Sequence, residues 1–342
     1  MRKETIVFSN KNAVYIFDGT FSQLETVFPK EKIVLITDEN VYSHHFKRFE
    51  GYQAIVLAPG EENKQQHTVD HIIQRLLELQ ADKQTVIVGV GGGVITDMAG
   101  YAAAIYKRGV RLVQVPTSIL AIVDAAVGGK NGVDVGAYKN QVGTIYQPDY
   151  LLFDYSFLET LPREEWVNGF AEIIKHACIK DADQFEFLKA KSIADFQQDK
   201  KMLAEFLEKN VSIKLSVVLN DELETGDRKL LNFGHTLGHA IEATYHLPHG
   251  QAISVGMVAA AKLSEQMTGL TSHESQEITQ LLQQYGLPVS YKFDKDKVWD
   301  ILINDKKREA DKMSFILLDR IGNGIVRSIP LPQLKSMIEE SL

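Results

Sequence analysis

The chain has 342 residues, 44% hydrophobic side chains, a formal net charge of −8 and one cysteine. This length allows two domains with large buried cores. The negative charge argues against a nucleic-acid or anionic-membrane surface, so local basic residues would have to bind any anionic substrate. The single cysteine, Cys178, excludes an internal disulfide and a zinc site of several thiolates.

The amino-terminal stretch MRKETIVFSN has no apolar run of signal-peptide length. Nowhere along the chain do about 18 apolar residues follow one another without interruption. These two features predict a cytoplasmic, soluble protein, and together with the net charge they argue against nucleic acid or a membrane as its partner.

Short β-branched runs alternate with segments of helical period through the first 155 residues. Apolar runs of this kind with helices between them predict a Rossmann-like α/β domain, built on a mostly parallel sheet, at residues 1–155. A helical segment runs from His67 to Gln80, and the runs are KIVLITD (32–38), AIVLAPG (54–60), TVIVGVGGG (85–93) and RLVQVPTS (111–118).

A glycine-rich loop ends the third of these runs and leads into VITDMAGYAAAIY, which has the pattern of a helix. Such a loop exposes backbone N–H groups at a helix N-terminus, where a pyrophosphate can approach. The dinucleotide fingerprint GxGxxG is incomplete, because Val94 occupies the place of its last glycine. A tight strand-to-helix turn explains the glycines about as well. The loop glycines are Gly89, Gly91, Gly92 and Gly93.

Acidic and basic residues near the other strand ends favour the nucleotide interpretation. Asp97 lies one turn into the helix, GEENK (60–64) ends another strand and Asp38 ends a third. In an open α/β sheet, ligands bind at this carboxyl edge. Asp38 is a candidate acceptor for a ribose hydroxyl, although a turn or a helix cap is an equally good explanation.

The pattern after residue 155 is mainly helical and predicts a second domain at residues 156–342, with the active site in the cleft between the two. One late hairpin is expected within 314–331. The predicted helices run from Glu164 to Lys180, Asp199 to Asn220, His235 to Tyr245, Ala252 to Met267 and Ser275 to Tyr285.

Lysines and arginines are spread over both halves, and each one alone is most simply a solvated surface charge. Lys130, Lys139 and Asn140 belong to one loop. Lys175 differs from the rest, because it follows Glu172 by one turn within the apolar segment GFAEIIKHACI. A lysine and a carboxylate on one face of such a helix form either a partly buried ion pair or part of a site.

Four histidines and a glutamate lie within the twenty residues LNFGHTLGHAIEATYHLPHG (231–250). Helical spacing places His235, His239, Glu242 and His246 near one face, whereas His249 follows a proline. No HExxH glutamate lies between the first two histidines, so a metalloprotease is not indicated. The alternative to a metal or catalytic site is a structural role, in which the histidines cap the helix, pack against neighbours or contact water.

Six segments together resemble successive motifs of the 3-dehydroquinate synthase family and cover residues 85–260 densely. They are GVGGGVITDMAGYAAAIYKRGV, QVPTSILAIVDAAVGGKNGVD, KNQVGTIYQP, ETLPREEWVNGFAEIIKHACIKD, DELETGDRKLLNFGHTLGHAIE and LPHGQAISVGM. The resemblance implies an NAD-binding domain, a helical domain, one divalent metal, zinc or cobalt, and a homodimer. It also implies an NAD-dependent, phosphate-eliminating lyase that cyclises 3-deoxy-D-arabino-heptulosonate 7-phosphate to 3-dehydroquinate. The sugar phosphate would be transiently oxidised, lose phosphate, be reduced, open its ring and close by an intramolecular aldol reaction.

The resemblance assigns the metal ligands to Glu172, His235 and His249, and gives His239 a role in substrate contact or proton transfer. Arg108 matches an arginine that reaches the phosphate in the neighbouring subunit's site. The other catalytic or substrate-binding positions are Lys130, Asn140, Lys175, Lys214, Arg228, Asn232 and Lys312. The cofactor positions are Asp38, Gly60, Glu61, Lys64, Gly91, Gly92, Gly93, Val94, Asp97, Thr117, Ser118, Asp124, Lys130, Lys139, Phe157 and Thr160.

Several residues depart from the family's usual motifs. Ala125 and Ala126 replace two serines, Ser118 replaces a threonine, Thr96 replaces a glycine, and Tyr138 stands where a glycine commonly precedes Lys-Asn. With these changes, two other identities remain as alternatives: another sugar phosphate cyclase, or a metal-dependent polyol dehydrogenase of the same superfamily. A non-catalytic protein that keeps the fold is a third alternative.

Overall fold

A computed structural model describes residues 1–136, 138–303, 308–309 and 311–341. The chain divides into two compact units. Met1–Glu165 and Ala204–Val211 form the first unit, and Trp166–Leu203 and Ser212–Leu342 form the second. The predicted boundary after residue 155 comes earlier along the chain than this division.

The first unit contains a seven-stranded sheet in the order β1-β2-β9-β6-β5-β3-β4. Only β1 runs antiparallel to its neighbour. A separate antiparallel hairpin pairs β7 with β8. The strands are β1 (Arg2–Val7), β2 (Asn12–Phe17), β3 (Ile33–Asp38), β4 (Gln53–Leu57), β5 (Val86–Gly91), β6 (Arg111–Pro116), β7 (Lys130–Val135), β8 (Tyr138–Ile145) and β9 (Tyr150–Leu152).

Strand β5 is buried along its whole length, because both faces of the sheet are covered. Val86, Val88 and Val90 pack on one face with aromatic residues such as Phe157. Ile87 packs on the opposite face. Near-continuous apolar strands of this kind are typical of parallel sheets covered on both sides. The helices of this unit are α1 (Leu24–Val27), α2 (Glu39–Phe49), α3 (Gln66–Glu78) and α4 (Gly93–Ile105).

The order of strands changes direction between β3 and β5. The chain leaves β3 toward β4 on one side, then returns to form β5 and β6 on the other. Thr37 of β3 is in register with Val90 of β5, so Asp38 and Gly91 are neighbours at the carboxyl edge. Ligands of open α/β sheets bind at such a switch point.

The second unit is mainly helical and includes a three-stranded antiparallel sheet in the order β10-β11-β12. Its strands are β10 (Arg308–Glu309), β11 (Lys312–Arg320) and β12 (Asn323–Pro330). The remaining helices are α5 (Arg163–Lys180), α6 (Ala182–Lys189), α7 (Ile193–Gln198), α8 (Lys200–Asn220), α9 (His235–Tyr245), α10 (His249–Met267), α11 (Ser272–Gln284), α12 (Lys295–Leu302) and α13 (Leu331–Ser341). The first three residues of α5 and residues 204–211 of α8 belong to the first unit.

The predicted fold class, a mostly parallel sheet followed by a mainly helical part, is confirmed. The predicted helix from His235 to Tyr245 has the observed bounds of α9, and the late hairpin is the pair β11 and β12. In the part of the chain that the structure describes, no helix combines the length and the apolar character that a bilayer crossing requires.

Candidate metal centre and glycine loop

Helices α9 and α10 meet through glycines that leave no room for a Cβ atom. Gly234 precedes α9 with a φ of 78°, and a Cβ on it would lie 2.8 Å from the carbonyl oxygen of Ile253. A Cβ on Gly256 would overlap the carbonyl of Gly234. Because the two backbones touch here, and only residues 246–248 connect the helices, α10 runs back along α9 and places residues 253–257 against the start of α9.

A second close contact joins the start of α10 to α5. The backbone N–H of Gly250 donates to the side-chain oxygen of Asn168, and a Cβ at position 250 would overlap the Asn168 carbonyl. Glu172 follows Asn168 by one helical turn on the same face. The contact therefore brings His249 beside Glu172.

The side chains of Glu172, His235 and His249 converge as the resemblance implies. Their potential ligand atoms all lie within 4.8 Å of one another. Oε1 of Glu172 is 3.5 Å from Nε2 of His235 and 3.4 Å from Nε2 of His249. The other oxygen of Glu172 accepts a hydrogen bond from Lys175, and both of these side chains are buried. Two imidazole nitrogens and a carboxylate oxygen form a donor set suited to a catalytic divalent ion.

The opposite nitrogen of each candidate ligand histidine, His235 and His249, faces an oxygen acceptor. Nδ1 of His235 is 3.1 Å from the carbonyl oxygen of Phe233, and Nδ1 of His249 is 3.2 Å from Oε2 of Glu242. A proton on Nδ1 satisfies each of these contacts and leaves the Nε2 lone pair directed at the Glu172 side. The donor set therefore fits a metal ion in orientation as well as in composition.

His239 lies beside the two ligand histidines without sharing their contact to Glu172. Its ring centroid is 5.0 Å from that of His235 and 5.9 Å from that of His249. His239, Glu242 and His249 form a second group that could hold an ion. The two groups share His249, and only the group containing Glu172 matches the three ligands that the family resemblance implies.

His246 lies beyond the helical face on which spacing had placed it. Helix α9 ends at Tyr245, and His246 adopts the left-handed conformation, with a φ of 54°, as an exposed C-cap residue. Helical spacing had grouped His246 with the ligand face, but the helix ends one residue before it, and its exposed side chain agrees with the interpretation of His246 as a surface histidine.

Two carboxylates attract positive charge to His249. Burial alone would lower the pKa of its imidazole, but Glu242 and Glu172 outweigh this effect and raise the pKa to about 10. The surroundings of His249 thus favour a cation, whether that is a proton or a metal ion.

Three predicted substrate-binding cations of the second unit are almost fully buried: Lys175, Lys214 and Arg228 are 1%, 7% and 2% exposed. Lysine and arginine rarely lie inside a protein unless they are paired. Nη1 of Arg228 donates to the carbonyl oxygen of Glu222 at 2.6 Å. Lys312, by contrast, is exposed on β11.

In the first unit, the loop glycines have two different structural roles. A Cβ on Gly91 would lie 2.6 Å from Ile95, and one on Gly89 would lie 2.8 Å from Ala99, so both glycines permit close packing. Gly92, the N-cap of α4, is different, because the nearest atom to a Cβ there is the hydroxyl of Ser118 at 3.6 Å. The space above Gly92 and the half-buried Gly93 and Val94 can admit a phosphate.

A polar cluster lies beside this loop, as the pattern of strand ends predicted. The buried ammonium of Lys64 is 2.6 Å from Oδ2 of Asp97 and 2.6 Å from Oδ1 of Asn140. Lys139 is 3.2 Å from Oε1 of Glu61, which follows Gly60. Burial would lower the pKa of Lys64, but Asp97 and the other nearby carboxylates raise it, so this lysine is charged.

Asp38 caps helix α2. Its Oδ1 accepts a hydrogen bond from the backbone N–H of Val41 at 2.9 Å, and burial raises the pKa of its carboxyl. The cap that was considered as an alternative is thus present, and contact with a ribose stays a prediction.

The remaining predicted cofactor residues differ in exposure. Phe157 is 1% exposed in the core, so its side chain is a packing residue. Oγ1 of Thr160 is 2.8 Å from Nε2 of His45, a residue that the sequence analysis did not select. The backbone N–H of Thr117 donates to the Gly91 carbonyl. Asp124 belongs to a π-helical turn, Ala121–Ala125, and Lys130 begins β7.

Arg108 is exposed on a tight left-handed turn. Its φ is 60°, between Lys107 at 46° and Gly109 at 104°. Consecutive non-glycine residues in this region are strained, and such strain is concentrated at functional sites.

The departures from the family's motifs are accommodated locally. Thr96 donates its hydroxyl to the Gly93 carbonyl within α4 at 3.0 Å. The Cβ of Ala125 would be 3.2 Å from a Cβ on Gly93, so this alanine lies next to the glycine loop. Tyr138 begins β8 and is 49% exposed.

Two family profiles match adjacent parts of the chain. The profile described as "3-dehydroquinate synthase N-terminal" matches residues 54–168, and the one described as "3-dehydroquinate synthase C-terminal" matches residues 169–308. The chain is 42% identical to a 3-dehydroquinate synthase of Clostridium beijerinckii, over 88% of this chain and 89% of that protein. It is 37% identical to one of Saccharolobus solfataricus, over 96% of each.

Three solved structures have a similar fold. A 2-deoxy-scyllo-inosose synthase complexed with carbaglucose-6-phosphate, NAD+ and Co2+ is 29% identical, with a TM-score of 0.86 and all of both chains covered. A 2-epi-5-epi-valiolone synthase from Streptomyces hygroscopicus with NAD+ and Zn2+ bound is 22% identical, with a TM-score of 0.87 over 99% of each chain. An NADH-dependent butanol dehydrogenase from Thermotoga maritima is 15% identical, with a TM-score of 0.65 over 99% of this chain and 98% of that one.

Proposed function

The chain belongs to the 3-dehydroquinate synthase family, and we propose that it catalyses the reaction of that name. The substrate would be 3-deoxy-D-arabino-heptulosonate 7-phosphate, and the products 3-dehydroquinate and inorganic phosphate. The single observation that carries this proposal is the convergence of Glu172, His235 and His249, in a chain 42% identical to a protein with that name. Because phosphate is eliminated and not hydrolysed, the enzyme would be a carbon-oxygen lyase.

One divalent ion, zinc or cobalt, is proposed to bind to Glu172, His235 and His249. When bound, it supplies a Lewis acid that polarises the substrate's hydroxyl and ketone oxygens. Lys175 holds the second oxygen of Glu172, and Glu242 orients His249, so the protein fixes the ligands before the substrate arrives. The half-buried His239 is proposed to contact substrate or transfer a proton.

NAD is the proposed second cofactor, and when bound it would supply reversible hydride transfer to and from the substrate. The backbone at Gly92 and Gly93 is proposed to receive its pyrophosphate, since the N-terminus of α4 offers N–H groups without side-chain obstruction. Asp97 and Lys64 form a fixed pair beside that loop. The alternative of a NAD-dependent dehydrogenase differs in its outcome, because it would accumulate NADH.

The substrate carries a carboxylate and a phosphate, and the protein supplies buried cations to bind them. Lys214 and Arg228 are 7% and 2% exposed, and their charges are therefore poorly screened by water. We assign both to substrate binding, with Asn232, Lys130 and Asn140 as neutral or cationic partners. Lys312 is proposed as a further contact.

A homodimer is also proposed, in which Arg108 serves the neighbouring subunit's site. Sedimentation equilibrium at micromolar concentration should give twice the monomer mass of 38.4 kDa. A monomeric mass would contradict this part of the proposal.

The test of function uses purified protein with zinc or cobalt and a catalytic amount of NAD+. We expect phosphate release from the heptulosonate phosphate with no net rise in NADH absorbance. Glucose 6-phosphate is the competing substrate, because the 2-deoxy-scyllo-inosose synthase structure holds carbaglucose-6-phosphate. Release from glucose 6-phosphate alone would favour another sugar phosphate cyclase. No release from either, with metal and NAD both bound, would exclude the proposed reaction.

A further inference from the structure

A single aspartate organises the loop that follows α8. Oδ1 of Asp221 accepts hydrogen bonds from the backbone N–H and the hydroxyl of Thr225, at 2.9 and 3.2 Å. Oδ2 accepts from the backbone N–H groups of Gly226 and Arg228, at 2.7 and 3.0 Å. One carboxylate thus holds three backbone donors between residues 225 and 228, where the short 3-10 helix Asp227–Asn232 begins.

The same hydrogen bonds stabilise the carboxylate in its ionised form. Burial opposes this effect, but donation from Gly226, Thr225 and Arg228 outweighs it and lowers the pKa of Asp221 to about 2. The hydrogen bonds are therefore charge-assisted at any neutral pH, which makes them stronger than bonds between neutral groups.

The loop that Asp221 organises holds two proposed substrate-binding side chains. The carbonyl oxygen of Glu222 accepts from Nη1 of Arg228 at 2.6 Å. Oε1 of Glu224 accepts from Nδ2 of Asn232 at 2.9 Å. Glu224 has a φ of 60°, a conformation that a non-glycine residue adopts only when its surroundings impose it.

We infer that Asp221 is a positioning residue for substrate binding, which acts by fixing the Glu222–Glu224 turn that holds Arg228 and Asn232. Its own carboxylate is fully engaged with the loop and is not assigned a substrate contact. The inference rests on the proposed function for the identity of the substrate. The ordering of the loop can be measured without any substrate.

The Asp221→Asn variant tests the need for a second carboxylate oxygen. An amide keeps one acceptor and presents an NH2 group to the donors that the other oxygen now satisfies. We expect a rise in KM for the heptulosonate phosphate of roughly tenfold to a hundredfold, because a displacement of about 1 Å at a site has effects of this size. Zinc affinity should not change, since none of the metal ligands belongs to residues 221–232. Asp221→Glu, which keeps the charge, should recover part of the loss.

Asp199→Asn is the matched control. Asp199 caps the other end of α8, where its Oδ1 accepts from the N–H of Met202 at 2.9 Å. This variant also removes a capping carboxylate, but far along the chain from Arg228 and Asn232. A general loss of stability would affect both variants alike, whereas loss of positioning should raise KM only in Asp221→Asn.

Hydrogen exchange of the backbone amides at Thr225, Gly226 and Arg228 gives the second measurement. We expect fast exchange at these amides in Asp221→Asn and wild-type rates in Asp199→Asn. Wild-type exchange and a KM within twofold of wild type in Asp221→Asn would overturn the inference, as would an equal KM rise in the control. If wild-type protein releases no phosphate, the proposed function fails separately, and exchange alone decides whether Asp221 orders the loop. If Asp221→Asn does not fold, the same two measurements on Asp221→Glu decide the matter.

Discussion

At the scale of single residues, the two candidate ligand histidines are held by different acceptors. A backbone carbonyl, that of Phe233, fixes His235, whereas a buried carboxylate, that of Glu242, fixes His249. The first acceptor survives any side-chain substitution at its position, but the second can be removed by mutation. Outer contacts of this kind commonly contribute 10–100-fold to metal affinity, roughly the effect we would expect from Glu242.

We predict that His235→Ala and His249→Ala each lower zinc affinity by more than about 100-fold, because each removes a direct ligand. His246→Ala is the control, since His246 is exposed and ends the helix. It should bind zinc like the wild type. Competition with a chromophoric chelator measures all three variants. Wild-type affinity in His249→Ala, or a large loss in His246→Ala, would refute the ligand assignment.

Proton release should accompany metal binding. With the pKa of His249 at about 10 in the metal-free protein, its imidazole is protonated at pH 8, and an ion must displace that proton. We expect release of about one proton per zinc and an apparent affinity that falls about tenfold for each unit of decreasing pH. Calorimetry in buffers of different ionisation enthalpy measures the release. The absence of release at pH 8 would show that His249 is neutral before binding.

The same raised pKa has a defined effect on the stability of the metal-free protein. The favourable charge on His249 contributes fully below the unfolded-state pKa of about 6.5. That contribution is lost as the pH rises through about 10. Stability of the metal-free form should therefore decline over this interval.

Sequence alone identified the histidine cluster but not the contacts within it. Spacing along a helix pairs His235 with His239, and it cannot show that Glu172, more than sixty residues earlier, supplies the shared oxygen. The family resemblance supplied Glu172 as a candidate ligand. Glu242 was placed on the same helical face, yet its contact with His249 depends on the return of the chain after Pro248, which no periodic pattern encodes.

At the scale of elements, glycines fix the distances between backbones at both candidate sites. Gly234 and Gly256 allow α9 to touch α10, and Gly91 allows β5 to pack on the first turn of α4. Gly92 is the exception among these, because its Cβ position faces open space. A glycine that packing does not require is a candidate for direct contact with a ligand.

Gly92→Ala should therefore weaken NAD binding by roughly tenfold while the protein stays folded, because a methyl group would obstruct approach to the backbone N–H groups. Gly100→Ala is the contrasting control. A Cβ there would overlap the side chain of Asn131, so stability should fall. Calorimetric titration with NAD+ and thermal unfolding distinguish the two effects. Unchanged NAD affinity in Gly92→Ala would exclude this loop as the pyrophosphate site.

Elements with many buried apolar residues were predictable, and short or exposed ones were not. Strand β5 and helix α9 were predicted because apolar residues recur along their length. Strand β8 has almost no buried position, so its sequence has no alternation to detect. Helix α7 spans only six residues, less than two turns, and its capping box at Ser192 was the available clue.

At the scale of the whole molecule, each unit has its own buried core and its own proposed cofactor. The candidate metal ligands belong to the second unit, and the glycine loop belongs to the first. Both tryptophans of the chain, Trp166 and Trp299, lie in the second unit. Tryptophan fluorescence therefore reports on the unit that holds the proposed metal site.

We predict that zinc at about 100 times its dissociation constant raises the fluorescence-detected unfolding midpoint by about 5–10 °C, from a stabilisation of about 2.7 kcal/mol. NAD+ alone should shift this midpoint less, because its proposed site is in the other unit. A scan with metal chelated and NAD+ omitted gives the baseline. Equal shifts from NAD+ alone and zinc alone would show that the two units unfold as one.

The convergence of α5, α9 and α10 on one point also has a topological consequence. An ion held by Glu172 and His249 would close a loop of roughly 75 residues, as a disulfide does, in a chain whose lone Cys178 cannot form one internally. Unlike a disulfide, the ion would leave the chain on unfolding, so it would stabilise the fold through its binding free energy and not by restricting the unfolded ensemble. The proposed catalytic ion would therefore also link distant parts of the chain and stabilise the fold. In a cell short of zinc, the enzyme would be more easily unfolded as well as inactive.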